Sequence, residues 1–213
     1  MVVAIILILF AAYIAFGISF SVIKKKRIKK QDEIFNSLPT LYPGFKADKI
    51  YKNGAGLSMI VLDQNMKKVF MTTAKGAMSA EITTRAVNFD DLVKVEIIED
   101  GTMVGSKSAT GAVLGGIFGG TEGAVIGQNF GKTTYKKKIR NIILKVLLDD
   151  IINPGFEMIF YNRALTKFYP LNKARKECQE WTDVLFVIMK RRSNAPTAAD
   201  QASSFTGFAS NSF

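Results

Sequence analysis

The residues Gly131-Lys132-Thr133-Thr134 are of the types that hold nucleotide phosphates in a P-loop. That motif needs four residues between its two glycines, so that the loop cradles the phosphates and the lysine reaches the terminal ones. Here three residues separate Gly127 from Gly131. The segment also follows a glycine-rich stretch and leads into a basic one, whereas a P-loop joins a strand to a helix. We therefore do not expect this segment to bind nucleotide.

Other catalytic or metal chemistry finds little support in the composition. The chain has no histidine and a single cysteine, Cys178, which excludes Ser-His and Cys-His pairs and the usual zinc spacings. Three acidic pairs, Asp90-Asp91, Glu99-Asp100 and Asp149-Asp150, each fall at the end of a predicted strand, where acids commonly shape turns. We expect no catalytic residue, no metal and no cofactor, and we do not expect an enzyme.

Glycine recurs at every fourth position of one segment: Gly111, Gly115, Gly119, Gly123, Gly127 and Gly131. Residues 110–120 and 122–132 also repeat each other with a period of twelve. Glycine in a helix costs about 1 kcal/mol relative to alanine, and the compensation is that two backbones can approach closely along a glycine face. The pattern predicts a glycine-zipper hairpin of two short helices, inserted at residues 105–132.

The zipper has three possible places. Each half is about 17 Å long as a helix, short of a bilayer core of about 30 Å. A single continuous helix would place Glu122 inside the bilayer, at a high cost. The hairpin is therefore expected to dip into the membrane, to pack on neighbouring copies, or to lie on its own domain.

The first residues have the length of a membrane anchor. Val2–Ile23 contains 22 uncharged, mostly apolar residues, enough for a helix of roughly 33 Å. No lysine or arginine precedes this run, which disfavours a signal peptide. Six basic residues follow at once: Lys24, Lys25, Lys26, Arg27, Lys29 and Lys30. The positive-inside rule then predicts a single-pass protein of the cell (inner) membrane, with the N-terminus outside and the bulk of the chain in the cytoplasm.

The rest of the chain alternates like a β protein and ends in a helix. Strands are predicted at 56–63, 69–73, 81–89, 92–100, 137–150 and 156–162, and several short antiparallel strands favour a sandwich or a partly open barrel. The final helix carries one apolar stripe, which predicts that it caps the sheet: Leu171, Ala174, Cys178, Trp181, Leu185 and Ile188. Trp181 is expected in the core and Cys178 as a buried thiol.

The domain boundaries follow from these patterns. We assign residues 1–23 to a transmembrane helix, 24–45 to a basic juxtamembrane linker, 46–192 to an α+β domain with the zipper inserted, and 193–213 to a disordered tail. The tail is small and polar and lacks periodicity. Its spaced phenylalanines, Phe205, Phe208 and Phe213, are a candidate docking motif.

Two sequence stretches carry a family resemblance. They are F-D-D-L-V-K-V-E-I-I-E-D-G at 89–101, followed by the zipper and a basic strand, and I-I-N-P-G-F-E at 151–157. In this order they resemble bacterial membrane-associated proteins with a pleckstrin-homology-like (PH-like) fold, over about residues 56–190. The resemblance implies an antiparallel β sandwich or partly open barrel capped by a C-terminal helix. It also implies that the protein binds lipids, peptides or its own copies.

The charge balance indicates anionic partners. The net charge is +11, and basic residues cluster at 24–30, at Lys67-Lys68, and at Lys136, Lys137 and Lys138 with Arg140. Anionic lipids are the expected ligands of the first and last clusters, although a solvated surface without a specific ligand is the simpler interpretation. No nucleic-acid recognition module is visible. Three functions remain open: a self-associating membrane scaffold or adaptor, an anionic-lipid sensor, and a membrane-perturbing protein of the toxin or phage-exclusion type.

Overall fold

The computed structural model of the protein describes residues 2–76, 78–109, 113–114, 139–166 and 169–193. They form two long helices and two antiparallel sheets. The helices are α1 (Val2–Leu41) and α2 (Leu171–Ser193). The first sheet has the order β1-β2-β3-β4, with β1 Lys49–Lys52, β2 Ser58–Asp63, β3 Lys68–Ala74 and β4 Ile82–Asn88. The second sheet has the order β7-β6-β5-β8-β9, with β5 Leu92–Glu99, β6 Thr102–Ser108, β7 Val113–Leu114, β8 Asn141–Leu148 and β9 Gly155–Asn162.

The first sheet is covered on both faces. Every residue of β2 is buried, whereas a strand that is covered on one face shows the alternation seen in β8. Ile60 and Leu62 face the main core, and Met59 and Val61 face a second cluster on the other side of the sheet. The second cluster is closed by the C-terminal half of α1, so this part of the domain has three layers.

Strand β9 runs across the inner face of the first sheet. At one end of β9, Arg85 on β4 contacts the β8–β9 turn. Further along, the Ile159 N–H donates to the Ser58 hydroxyl on β2 at 2.7 Å. At the other end, the Asn53 amide beyond β1 donates to the Phe160 carbonyl at 3.0 Å. These contacts tie the two sheets together from one edge of the first sheet to the other.

Helix α2 fills the open side of the two sheets, as its apolar stripe predicts. Ala174, Cys178 and Leu185 are fully buried in the main core, and Trp181 is 2% exposed. Burial raises the pKa of the Cys178 thiol well above its ordinary value. The predictions of a core tryptophan and a buried thiol are therefore confirmed.

The α+β class, the apolar N-terminal helix, the two antiparallel sheets and the capping helix are confirmed. The described strands form two separate sheets and do not close into a barrel. Strands β1, β6 and β7 were not predicted. Residues 105–108, assigned above to the zipper insert, belong to β6, and Val113–Leu114, assigned to its first helix, pair with β6 as β7.

The remaining parts of the insert cannot be compared with the structure. All six zipper glycines and Lys136, Lys137 and Lys138 lie outside the described residues. Outside the strand residues of β6 and β7, the helical hairpin therefore stays a prediction.

Candidate membrane interface

The apolar N-terminal segment and the folded domain share one helix. α1 contains a stretch long and apolar enough to cross a membrane, and its side chains from Val3 to Ile14 are exposed. After Ile23 the exposure changes: Arg27, Gln31 and Leu38 are buried against the first sheet. The segment 24–45, interpreted above as a linker, is thus helical to Leu41 and forms the outer layer of the domain. A helix is stiff over this length, so the domain's position relative to the apolar segment is set by α1 itself.

α1 packs closely against the β1–β2 turn. Gly56 in this turn has φ +67°, and a β-carbon placed on it would lie 2.9 Å from the Arg27 Cβ and 3.1 Å from the Ile28 backbone nitrogen. One turn further, the Gln31 amide donates to the Thr72 hydroxyl on β3 at 3.3 Å. Only glycine permits both this backbone conformation and this approach.

The C-terminal half of α1, which packs on the first sheet and is called here the packed half, ends in aromatic and apolar contacts. Leu38 is 3% exposed and packs with Met59, Val61 and Phe70. The ring of Tyr42, just after the helix, meets the ring of Phe70 edge-on with centroids 4.9 Å apart. From Arg27 to Tyr42 the helical rise is about 22 Å, so the packed half extends that far from the apolar segment.

The predicted lipid-contact residues divide into exposed and enclosed groups. Lys25, Lys26, Lys29 and Lys30 are exposed and Lys24 is half-buried. Lys29 lies 3.8 Å from Glu33 in a pair that is largely exposed, so the two side chains are held weakly. Arg27 is 0% exposed. Four lysines of the basic run are therefore accessible to an anionic surface, and we leave Arg27 out of the proposed contacts.

The β3–β4 connection lies at the same end of the domain as this lysine run. Ser58 pairs with Thr73, so the β1–β2 and β3–β4 connections share one end of the first sheet. There the Lys75 ammonium lies 2.9 Å from Glu81 and lowers the pKa of that carboxyl. Met78 in the same connection is 43% exposed. This end presents a lysine and an exposed apolar side chain beside the start of the packed helix.

The Lys67-Lys68 pair lies at the opposite end of the first sheet. It follows the β2–β3 turn, and the Lys68 ammonium lies 6.0 Å from the centre of the Tyr42 ring. Because Tyr42 is about 22 Å along α1 from Arg27, this pair is remote from the apolar segment. It does not join the other lysines in one surface.

Acids of these pairs hold turns, as predicted, and Glu99 also binds helix α2, which was not predicted. Glu99 accepts two bonds of 2.7 Å from the guanidinium of Arg175 on α2. Asp100 accepts the backbone N–H groups of Arg140 and Asn141 at 2.8 and 2.9 Å. In the described part of the chain, no group of three or more acidic or cysteine side chains is placed to hold a metal ion.

Comparison with known families agrees with this architecture. The model of the family "Glycine zipper containing PH domain" matches residues 47–162, just over half of the chain. The chain belongs to this family. No curated protein and no solved structure matches it.

The family match leaves out two elements that complete this PH domain. α1 lies before residue 47 and α2 lies after residue 162. Yet α2 contributes Cys178, Trp181 and Leu185 to the main core, and α1 covers the outer face of the first sheet. In this chain the folded unit is therefore larger than the matched region.

The sequence contained a signal for the outer helix. Arg27, Gln31, Ile34, Phe35 and Leu38 follow one another at the three- and four-residue spacing of a helical face. Two polar residues begin this stripe and lysines surround it, which favoured the interpretation as a linker. The decisive feature is that Arg27 and Gln31 are buried by the β1–β2 turn and by Thr72, which depends on the tertiary fold.

Proposed function

We propose that this protein is a membrane-anchored, self-associating scaffold with a cytoplasmic PH domain. The observation that carries the proposal is α1, a single helix that leads from an apolar segment directly into the packing of the domain. Such a link holds the domain at the membrane surface in one orientation. The lysines that follow the apolar segment support an N-terminus outside the cell and a domain in the cytoplasm.

In this proposal the glycine zipper supplies the contact between copies, or a second contact with the membrane. Glycines at every fourth position permit close approach of two helices, and the twelve-residue repeat supplies two matching faces. Membership of a family named for its glycine zipper supports a role for this segment.

The zipper is tested by replacing Gly115, Gly119, Gly123 and Gly127 with leucine and crosslinking the chain in isolated membranes. We expect the crosslinked oligomers to disappear, because the leucine side chains keep the backbones apart. The matched control replaces Gly116 and Gly120, which lie in the same segment but outside the four-residue register. Oligomers that survive the first set unchanged would show that the zipper is not an assembly device.

A second function, sensing of anionic lipid, is favoured by the basic residues at the end of the first sheet that holds the β1–β2 and β3–β4 connections. Lys25, Lys26, Lys29 and Lys30 extend from α1, and Lys75 lies at the same end of the first sheet. Each basic residue near an anionic membrane contributes about 1 kcal/mol of attraction. In this function the zipper is passive and the domain responds to membrane charge.

Flotation with vesicles separates the two functions when the chain begins at Lys24 and ends at Ser193, so that the packed half of α1 is kept. We expect binding that increases with anionic lipid and is lost when the four exposed lysines of α1 become glutamate. The control converts Lys67 and Lys68 to glutamate. Each substitution makes the same change of charge, but at the opposite end of the first sheet. If the control weakens binding by about half the free energy that the four-lysine variant loses, in proportion to the charge changed, the attraction depends on net charge and not on this end of the domain.

A further inference from the structure

Two adjacent isoleucines project from the β8–β9 turn. Ile151 is 100% exposed and Ile152 is 86% exposed; we call this pair the isoleucine knob. Large aliphatic side chains are seldom left so exposed next to each other. Exposed apolar surface of this kind marks a contact site when it is contiguous and held in place.

The knob is held in a fixed shape by its turn. The Asp150 carboxylate accepts the N–H groups of Ile152 and Asn153 at 2.9 and 3.1 Å. Arg85 on β4 forms an ion pair with the same carboxylate and donates to the Asn153 carbonyl at 2.5 Å. A turn ordered in this way loses little conformational entropy when it docks, which favours binding.

An apolar groove lies beside α2. Its apolar lining comes from Leu62, Phe89, Val184, Val187 and Ile188, and its volume is about 460 Å³. We call it the α2 groove. Val187 is 46% exposed at its surface. The groove is concave, apolar and open, and thus suited to an aliphatic side chain.

The knob and the groove lie at opposite edges of the first sheet. β4, whose Arg85 holds the knob, is one edge strand, and β1, whose Lys49 lines the groove, is the other. They also lie at a similar height, meaning a similar position along the strand direction. Across the sheet, Lys49 pairs with Leu62, Leu62 with Val69, and Val69 with Val87. Arg85 is two residues from Val87 on β4, about 7 Å along the strand.

The charges beside the two features are complementary. Asp149 is exposed next to the knob. At the groove, Asp48 accepts the Gln64 N–H and Asp183 accepts the Lys107 ammonium. Lys107 thus offsets the charge of Asp183, while Asp48 keeps its own negative charge. Lys49 and Arg191 in the lining outnumber this remaining acid, so the groove has a small positive excess.

We propose that the isoleucine knob of one copy docks in the α2 groove of a second copy. Such a contact is heterologous, because each copy uses a different surface, and it repeats from copy to copy. Copies that share one orientation in a membrane present the knob and the groove at the same height, so the contact produces rows in the membrane plane. This contact uses no residue of the glycine zipper.

The test is disulfide crosslinking of the full chain in isolated membranes, with Ile152→Cys and Val187→Cys. When the two single variants carry different tags and are mixed by co-expression, we expect crosslinked dimers that contain both tags. A chain carrying both substitutions should form a ladder of dimers, trimers and longer species. The native Cys178 is fully buried, so the wild-type chain controls for background crosslinking.

Three results would overturn the proposal. Dimers formed by either single variant alone would indicate a symmetric contact. Absence of mixed dimers, with or without residues 194–213, would show that the groove does not receive the knob of another copy. Protection of Ile152→Cys from a water-soluble thiol reagent by the bilayer alone would assign the knob to lipid.

A second measurement does not depend on cysteine chemistry. Ile151→Ser with Ile152→Ser should weaken association by about tenfold or more, because two aliphatic side chains lose their burial. Met103→Ser, at a β6 residue that is 48% exposed, is the matched control and should leave association unchanged. The mixed crosslink should also persist when the zipper glycines are replaced, which separates this contact from the proposed role of the zipper.

Discussion

Replacement of Gly56 by alanine tests whether α1 is an integral layer of the domain. Gly56 has φ +67°, a conformation that costs an L-residue about 1–2 kcal/mol. The added β-carbon would lie 2.9 Å from the Arg27 Cβ and 3.1 Å from the Ile28 nitrogen. The Ile28 nitrogen is backbone, so the strain cannot be relieved by a side-chain rotation alone. Overpacking of this kind costs about 1–3 kcal/mol.

These two terms predict that Gly56→Ala lowers the free energy of unfolding by about 2–5 kcal/mol. For a folded unit of this size, each kcal/mol lowers the Tm by about 2–4 °C. The assay is heating of the full chain in mild detergent, followed by the fluorescence of Trp181, the single tryptophan, which is buried in the core. Trypsin cleavage after the lysines of α1 then reports whether the helix has left the first sheet.

Gly44 provides the matched control. It has φ +87°, and a β-carbon there would meet nothing within 4 Å, so Gly44→Ala carries the backbone strain alone, about 1–2 kcal/mol. The difference between the two variants is the cost of pressing the turn against α1. Equal destabilisation by the two variants, with no gain in cleavage of α1 in the Gly56 variant, would refute the close contact between helix and turn.

Three further outcomes follow from the contacts of the described residues. Leu38→Ala should lower the free energy of unfolding by about 2–5 kcal/mol, because it leaves a cavity between α1 and the first sheet; an unchanged Tm would contradict the packing. Glu99→Gln should lower the free energy of unfolding by about 1–3 kcal/mol by the same assay, since it removes the charge from two hydrogen bonds with Arg175. The separate variant Arg175→Lys should keep only part of these two bonds and be destabilised as well. Backbone hydrogen bonds in its own turn, together with Arg85, hold the pKa of Asp150 below the ordinary value of 3.8. Its stabilisation of the β8–β9 turn is therefore complete above that value and lost as the pH falls through the lower folded value, and an NMR titration of the turn amides should show the loss in the native chain but not in Asp150→Asn.

Elements with strong local patterns could be predicted from the sequence. β5 from Val95 onward and the whole of β8 alternate between buried and half-buried residues, and α2 has one apolar stripe. Both patterns result from burial on one face. β1 was missed because its sequence, K-I-Y-K, is short and charged, and only Tyr51 is buried. β6 was missed because T-M-V-G-S-K-S is polar and contains a glycine. It is held by pairing with β5, a long-range contact that local propensity does not contain.

The candidate interface was predictable in part. The basic run and the apolar segment before it are local features, and the sequence identifies both. Which basic residues reach solvent depends on the partner surface: Arg27 and Lys30 look alike in the sequence, yet the first sheet covers only Arg27. The isoleucine knob was likewise invisible, because an I-I pair in a strand-rich sequence is usually buried and its exposure here depends on the turn held by Arg85.

The rigid link through α1 changes what weak contacts between copies can accomplish. In solution, two domains must find one relative orientation among many, and this loss of freedom offsets much of the gain from a small apolar contact. On a membrane, a helix packed into its domain fixes tilt and height in advance, and confinement raises the effective concentration of one copy near the next. A pair of isoleucines in a shallow groove can then suffice where it would fail in solution. If α1 were a flexible linker, this advantage would vanish, so the proposed rows depend on the same contact at Gly56 that holds the helix to the domain.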